Sequence, residues 1–286
     1  MKLVYATDLH GDRAAYDSLA DLARAERADA VVLGGDLFAH SRYAAPQLAF
    51  AEGVLLRFLR LLTDARIPVL TVTGNVDLRA AVERVREFER DGLVRILGLQ
   101  PLYLPFSGTD GRGGVEIVGY PYVPPTPFRL KENERRDLTA DRYEGPWPIF
   151  LSSPDPEQER IGAPDDYLDR LPSIEEDLAM IPGTQRPCIL VAHAPPWGCG
   201  LDRSSLGVHG GSRAVRRWIE NRQPLLTLHG HIHESPDLSG RWAERIGSTI
   251  CVNPGAAGEP MLQAVVLEST RLAHSLAHAV RGRSEL

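Results

Sequence analysis

An α/β protein, with strands and helices alternating in packed layers, is what this sequence predicts, and two observations carry the prediction. Short apolar runs alternate with longer stretches whose apolar residues recur every three or four positions. Clusters of aspartate, asparagine and histidine then stand directly after five of the short runs, the place where open α/β sheets bind ligands. With 286 residues, 43% of them hydrophobic, the chain has ample material for a core of this kind.

The strand-like runs fall at 2–7, 30–33, 69–73, 94–97, 115–120, 188–192, 225–228, 249–252 and 263–267. Helical periodicity fills 13–25, 45–65, 78–91 and 212–221. Some strands adjacent in sequence are expected to pair as hairpins, and no internal repeat is visible. The opening apolar run is broken by Asp8, so it reads as a first strand rather than a signal peptide. No stretch approaches the roughly 20 apolar residues that a spanning helix needs. The three cysteines, Cys188, Cys199 and Cys251, are too scattered for a disulfide framework and form no CxxC pair. A cytoplasmic, reduced protein without a membrane partner is expected.

A net charge of −6 argues against a basic nucleic-acid binder. The cations are almost all arginine, lysine occurring only at Lys2 and Lys131. Arginine grips phosphate bidentately, but we ascribe this bias to genome composition. Segment 120–187 differs from the rest. Its prolines (Pro121, Pro124, Pro125, Pro127, Pro146, Pro148, Pro154, Pro156, Pro164) are incompatible with a central strand layer. It is either an insertion that caps a site or a loop without fixed structure. Its aromatic residues, Tyr122, Phe128, Tyr143, Trp147, Phe150 and Tyr167, favour the ordered insertion.

The polar clusters are Asp8 and His10 after the first strand, Gly35-Asp36 after the second and Gly74-Asn75 after the third. His193 follows 188–192, and Gly230-His231-Ile232-His233 follows 225–228. Together Asp8, His10, Asp36, Asn75, His193, His231 and His233 make a nitrogen and oxygen donor set without thiolate. Such a set suits divalent Mn, Fe, Zn, Ni or Co. Seven side chains exceed one tetrahedral site, whereas two sites sharing a carboxylate use them all. In Asp8-x-His10 and His231-x-His233 the residues at i and i+2 of extended backbone point to one side. The glycines before Asp36, Asn75 and His231 let the chain turn tightly where each strand stops.

This ordered series resembles the calcineurin-like metallophosphoesterase superfamily, over residues 8–233. The stretches GYPYVPP (119–125) and GHIHES (230–235) are similar to a prokaryotic branch of small phosphoesterases. The resemblance implies a two-sheet αββα sandwich; we expect one domain over 1–286 with 120–187 as an insertion within it, whether over the site or elsewhere being left open. It implies one metal on Asp8, His10, Asp36 and His233, and a second on Asp36, Asn75, His193 and His231, with Asp36 bridging. Manganese is the first choice among the metals. Such a pair would hold a bridging hydroxide for in-line attack on a phosphate ester, with the Asn75 amide steadying charge on the phosphoryl oxygens.

The sequence departs from the family at Val76. Many members have a histidine there, as a proton donor or phosphate contact, and valine can do neither. We therefore expect a phosphodiester rather than a monoester, on a small phosphorylated substrate with nucleotides among the candidates. A monoesterase, a nuclease and a non-catalytic metal-binding scaffold are the alternatives; the acidic charge weighs against the nuclease and the full ligand set against the scaffold. The oligomeric state is left open. His209, in the glycine-rich stretch 207–212 before a helix, is a candidate replacement proton donor, although Ser212 as a simple helix cap explains the pattern at least as well. His40 reads as a solvated loop residue near the site. His274 and His278 read as solvent-facing. Arg129, Lys131, Arg135 and Arg136 read as a wet helix face that also attracts anions. Asn253-Pro254-Gly255 reads as a tight turn close enough to buttress the histidines.

Overall fold

Runs of Val, Ile and Leu become strands buried on both faces when helices and a second sheet cover them, and this organises the chain. A computed structural model describes residues 1–105, 113–153, 155, 158–256 and 261–284; Pro154 and Pro156 of the proline-rich segment lie outside the described residues. Strand β1 (Lys2–Ala6) leads through helix α1 (Arg13–Ala25) to β2 (Ala30–Gly34). The chain continues through α2 (Ala44–Phe50) and α3 (Leu56–Asp64) to β3 (Val69–Val72), and through α4 (Arg79–Arg90) to the short β4 (Arg95–Ile96). These four strands are parallel neighbours in that order. The single helix expected over 45–65 is interrupted by a π-helical turn, Ala51–Leu55, that contains Gly53, a weak helix former.

The second sheet begins with the antiparallel pair β5 (Leu102–Pro105) and β6 (Gly114–Tyr120). Segment 120–187 follows, carrying the hairpin β7 (Phe150–Ser152) and β8 (Arg160–Gly162) and helix α5 (Ile174–Ala179). Strand β9 (Cys188–Ala192) pairs parallel with β6. After α6 (Arg213–Arg222), β10 (Leu226–Leu228) pairs parallel with β9. Helix α7 (Ser235–Ser239), β11 (Ala243–Ile246) and β12 (Thr249–Val252) complete this sheet in the order β11-β12-β10-β9-β6-β5. The chain then returns to the first sheet with β13 (Ala264–Glu268), α8 (Leu272–Ser275), β14 (Ala277–His278) and β15 (Gly282–Arg283), giving β15-β14-β13-β1-β2-β3-β4.

Three apolar layers hold these elements together. Leu3, Tyr5, Val32, Leu70 and Val72 of the first sheet face Val115, Ile117, Ile189, Val191 and Leu228 of the second. The outer face of the first sheet packs on Tyr16, Leu19, Leu59, Leu62, Val85 and Phe88 of its helices. The outer face of the second packs on Ile174, Leu178, Val215 and Trp218. The result is the expected αββα sandwich.

Segment 120–187 is pinned to both halves. Asn133 Nδ2 donates to the carbonyls of Gly74 (3.1 Å) and Asp77 (2.8 Å), and Glu132 accepts from the backbone N–H groups of Arg79 and Ser152. Tyr143, Ile149 and Leu168 form a small core of the segment's own. The basic run is not a wet helix face. Lys131 is fully buried against Glu134 (2.8 Å), and Arg136 is buried, donating to the carbonyls of Thr139, Asp141, Leu168 and Leu171. Charge spacing suggested a helix; tertiary carbonyls and a carboxylate supply the partners that permit burial instead. His278 is likewise not solvent-facing. It lies on β14, buried, with Nε2 on the Pro254 carbonyl (2.9 Å) and Nδ1 accepting from Val280 and Arg281.

Asp137 joins the segment to α6 by accepting from Ser212 Oγ and from the backbone N–H groups of Arg213 (2.8 Å) and Ala214 (3.2 Å) at the helix start. Asp137→Ala strips two orphan N–H groups of their acceptor and removes a charge that favours the helix dipole. We expect a loss of about 2 kcal/mol, read as a lower urea midpoint with an unchanged slope.

Candidate metal centre

The strand ends of both sheets open on the same edge of the sandwich, and hydrogen bonding continues past the strands into the loops there. Asp8 N–H donates to the Gly35 carbonyl (3.0 Å), and His10 N–H to that of Asp36 (3.0 Å). His193 N–H donates to the Tyr120 carbonyl (3.0 Å), and Gly230 N–H to that of His193 (2.9 Å). Other bonds cross from sheet to sheet. The Asp8 carboxylate accepts from His231 N–H (3.1 Å) as well as from Thr7 Oγ1 (2.7 Å), and His193 Nδ1 meets the Gly34 carbonyl (2.8 Å).

All seven sequence-predicted ligands meet at this edge. Atoms of Asp8, His10 and His233 that can bind a cation lie within 4.8 Å of one another, and so do those of Asp8, Asp36 and His193. His193 Nε2 is 3.3 Å from Asp36 Oδ1 and 3.2 Å from Asn75 Oδ1, and its ring packs beside that of His231 at 5.4 Å. The Gly34 contact places the His193 proton on Nδ1 and aims Nε2 into the group. Asp8 belongs to both close triads, whereas the resemblance implies Asp36 as the shared carboxylate; Asp36 lies between His193 and the Asn75 loop, where Val76 N–H also donates to it (3.0 Å).

Backbone strain marks the same residues. Asp8, His10, Asp36 and His231 all have positive φ, between 44° and 61°, a region that non-glycine residues enter rarely and that clusters at functional sites. The three glycines are needed mainly for space. Of them only Gly35 has positive φ (+103°), and a Cβ there would lie 2.6 Å from His193 Nδ1. At Gly74 it would lie 2.1 Å from Asp36 Oδ1, and at Gly230 2.2 Å from Asp8 Oδ2. The tight turn inferred from sequence thus holds at Gly35, while Gly74 and Gly230 let backbone approach a carboxylate.

The electrostatics suit cation binding. Burial raises the Asp8 carboxyl, partly offset by the neighbouring histidines. Burial opposes charge on Asp36 and His193 too, but their mutual contact overrides it: Asp36 is held well below the usual carboxylate range and His193 is raised to about 9. Burial lowers His10, and pushes His231 down to about 3, so both rings are neutral and able to ligate. Both ring nitrogens of His10 are buried and without a hydrogen-bond partner among the described residues. An imidazole left this way is a fit for a metal and a misfit for an apolar core.

The family model described as calcineurin-like phosphoesterase matches residues 1–235, which include every one of these ligands. The chain belongs to that family. Calcineurin-like phosphoesterases hydrolyse phosphate esters and typically bind two divalent metals, for which Asp8, His10, Asp36 and His193 stand ready here. Among solved structures, TT1561 of Thermus thermophilus is similar at 20% identity, covering 94% of each chain with a TM-score of 0.55. A dimetal phosphatase from Danio rerio is similar at 12% identity, covering 93% of this chain and 91% of its own, with a TM-score of 0.51. Both likenesses concern the fold. No curated protein sequence matches the chain.

The centre of this calcineurin-like phosphoesterase lies at the base of a cleft of about 620 Å³. His10, Asp36, Asn75, His231 and His233 line the floor, with Val76 and His40 beside them and Pro124–Phe128 of segment 120–187 as one wall. His40 is more than a loop histidine: its ring stacks on that of His10 at 5.2 Å. His209 is placed elsewhere. Its Nδ1 pairs with Asp202 (2.7 Å), its ring packs on Trp197, and it lines two other clefts.

Several supporting residues escaped the sequence reading. Asp77 locks the Asn75 loop by accepting from Phe38 N–H (3.1 Å) and Gly74 N–H (2.8 Å), and burial together with the Asp36 charge raises it to about 8. His229, next to two predicted ligands, turns inward to the Ala192 and Ala194 carbonyls and to Thr227 Oγ1, and burial lowers it to about 4. Asn253 does buttress the histidine loop, donating to the Ile232 carbonyl (3.1 Å) and the Leu201 carbonyl (3.0 Å). For Asp77 the signal lay in plain view, a carboxylate two residues beyond Asn75; for His229 nothing in the sequence separates it from His231.

Only a neutral imidazole ligates metal, and His193 holds its proton up to about pH 9. Metal uptake at pH 7 is therefore expected to release about one proton per chain. Apparent affinity is expected to rise by up to about tenfold per pH unit toward pH 9. Calorimetry in buffers of different ionisation enthalpy measures both; uptake without proton release would contradict the ligand role of His193.

Proposed function

We propose that the chain is a dinuclear metal-dependent phosphodiesterase acting on a small phosphorylated substrate. The observation that carries this reading is the pair of unpartnered, buried His10 nitrogens beside Asp8 and His233, at the floor of an open cleft. Asp8, His10, Asp36 and His233 are assigned to one cation, and Asp36, Asn75, His193 and His231 to the other. Two divalent cations supply Lewis-acid and water-activating chemistry to a phosphate ester. The protein's part is to fix donors in place before substrate arrives. The loop around Gly74 is locked by Asp77 and Asn133, so Asn75 meets the phosphoryl oxygens without reorganisation.

Val76 supports the diester preference. It lines the cleft beside Asn75 and supplies neither proton nor hydrogen bond to a departing oxygen. Such a wall suits an ester with a single negative charge and a second organic arm better than a dianionic monoester. His209 takes no part in this reading, because it is paired with Asp202 and lines other clefts. Segment 120–187 is assigned the role of a cap, on the ground that its residues 124–128 form one wall of the cleft.

Asp36→Ala is expected to lower turnover by at least about 10³-fold, as expected when a water-activating centre is lost, and to release both cations; elemental analysis of the purified variant distinguishes this from loss of one. With manganese supplied, the parent is expected to hydrolyse bis(p-nitrophenyl) phosphate faster than p-nitrophenyl phosphate. Greater activity on the monoester would reverse the assigned preference, and no release of p-nitrophenol from either would remove the enzymatic reading.

A further inference from the structure

The walls of the cleft carry a feature that metal binding does not require. Three of the chain's most exposed large apolar side chains, Phe128 (62% exposed), Leu206 (78%) and Val208 (56%), all line it. They come from segments some 80 residues apart in sequence, Phe128 from segment 120–187 and the other two from the loop between β9 and α6. Apolar groups that gather at one opening to solvent, instead of scattering, mark a surface with an apolar partner.

Neither wall is a loose loop. Glu134 accepts from Thr126 N–H (2.8 Å) and Thr126 Oγ1 (2.6 Å), while the buried Lys131 ammonium donates to the carbonyls of Thr126 (2.8 Å) and Phe128. A buried ion pair thereby fixes the backbone that presents Phe128 outward. In the other lining segment, Ser204 and Val208 close a tight turn through Ser204 N–H and Oγ, both donating to the Val208 carbonyl at 3.0 Å. Ser205 N–H is tied to Glu234 Oε1 (3.0 Å), one residue from His233. The Leu206 and Val208 loop is thereby tied beside His233, and the Phe128 segment is joined to the Asn75 loop through Asn133.

We infer that these walls select the substrate: the cleft takes a phosphodiester whose spared ester arm is apolar, held between Phe128 on one side and Leu206 and Val208 on the other. The inference rests on the phosphodiesterase reading and names the substrate class within it. The phosphate is held on the polar floor, and the arm that is not cleaved lies along the braced apolar walls, with Val76 continuing the same surface down to Asn75. Apolar area on Phe128, Leu206 and Val208 sets the selectivity.

The test uses a series with one leaving group, p-nitrophenyl methyl, propyl and hexyl phosphate, on the manganese-loaded protein. Complete burial of a methylene is worth about fourfold, so at a half-open cleft kcat/KM is expected to rise by roughly twofold per methylene. In the triple variant Phe128→Ala, Leu206→Ser, Val208→Ser the ratio between hexyl and methyl esters is expected to collapse toward one. Calorimetric binding of O-methyl methylphosphonate and O-methyl hexylphosphonate reads the same preference without turnover. Equal kcat/KM and equal affinity along the series, or a chain-length dependence that survives in the variant, overturns the inference and leaves the diesterase reading intact. Affinity that rises with chain length while no ester is hydrolysed supports the apolar site and removes the hydrolytic reading.

Discussion

Two carboxylates taken out of water, Asp8 and Asp36, set the terms for everything around them. They follow neighbouring parallel strands of one sheet and are both buried. Withdrawing a carboxylate from water carries a penalty of several kcal/mol even after relaxation. The chain offsets it with N–H donors from His231 and Val76, the Thr7 hydroxyl and the charged form of His193. Burial still raises the Asp8 carboxyl, and together with the Asp36 charge it raises Asp77. Buried carboxylates beside the neutral imidazoles of His10 and His231 suit divalent cations, which the family to which the chain belongs typically binds.

The same constraint ties the fold to the site. Asp8 belongs to the first sheet but receives a hydrogen bond from His231 of the second, and His193 of the second reaches the Gly34 carbonyl of the first. Tyr5 adds a third bond across the interface, to the His229 carbonyl at 2.8 Å. The centre therefore clamps the open edge of the sandwich. Holding it in register requires four non-glycine residues with positive φ, and such strained conformations persist only where the surroundings over-determine them. The close approaches at Gly35, Gly74 and Gly230 show how little slack remains.

Segment 120–187 adds what the sandwich lacks. Its ion pair, its small apolar core and its contacts to the Asn75 loop and α6 give it a fixed position with little more regular structure than the β7–β8 hairpin and the short α5 among the described residues. From that position it walls the cleft with Pro124, Pro125, Pro127 and Phe128. Proline-rich backbone suits such a wall, because it keeps its shape with few internal hydrogen bonds. The parallel strands supply the candidate metal ligands, while this irregular segment and the loop carrying Leu206 line the cleft.

Periodicity and strand-end placement made the core strands, four helical stretches and the convergence of seven candidate ligands legible, because a strand's carboxyl end and its side-chain alternation are local properties of the chain. The short strands β5, β11, β14 and β15 were not legible, since a few residues gain strand geometry only from the neighbours they pair with. What the sequence alone determined is the inventory of donors and their emergence at strand ends. Tertiary structure decided which histidine joins the polar cluster and which turns inward, as with His231 and His229. It also buried Lys131, separated His209 from the cleft and brought His40 against His10. Each of these outcomes depends on partners distant in sequence, whose desolvation and hydrogen bonds no local pattern encodes.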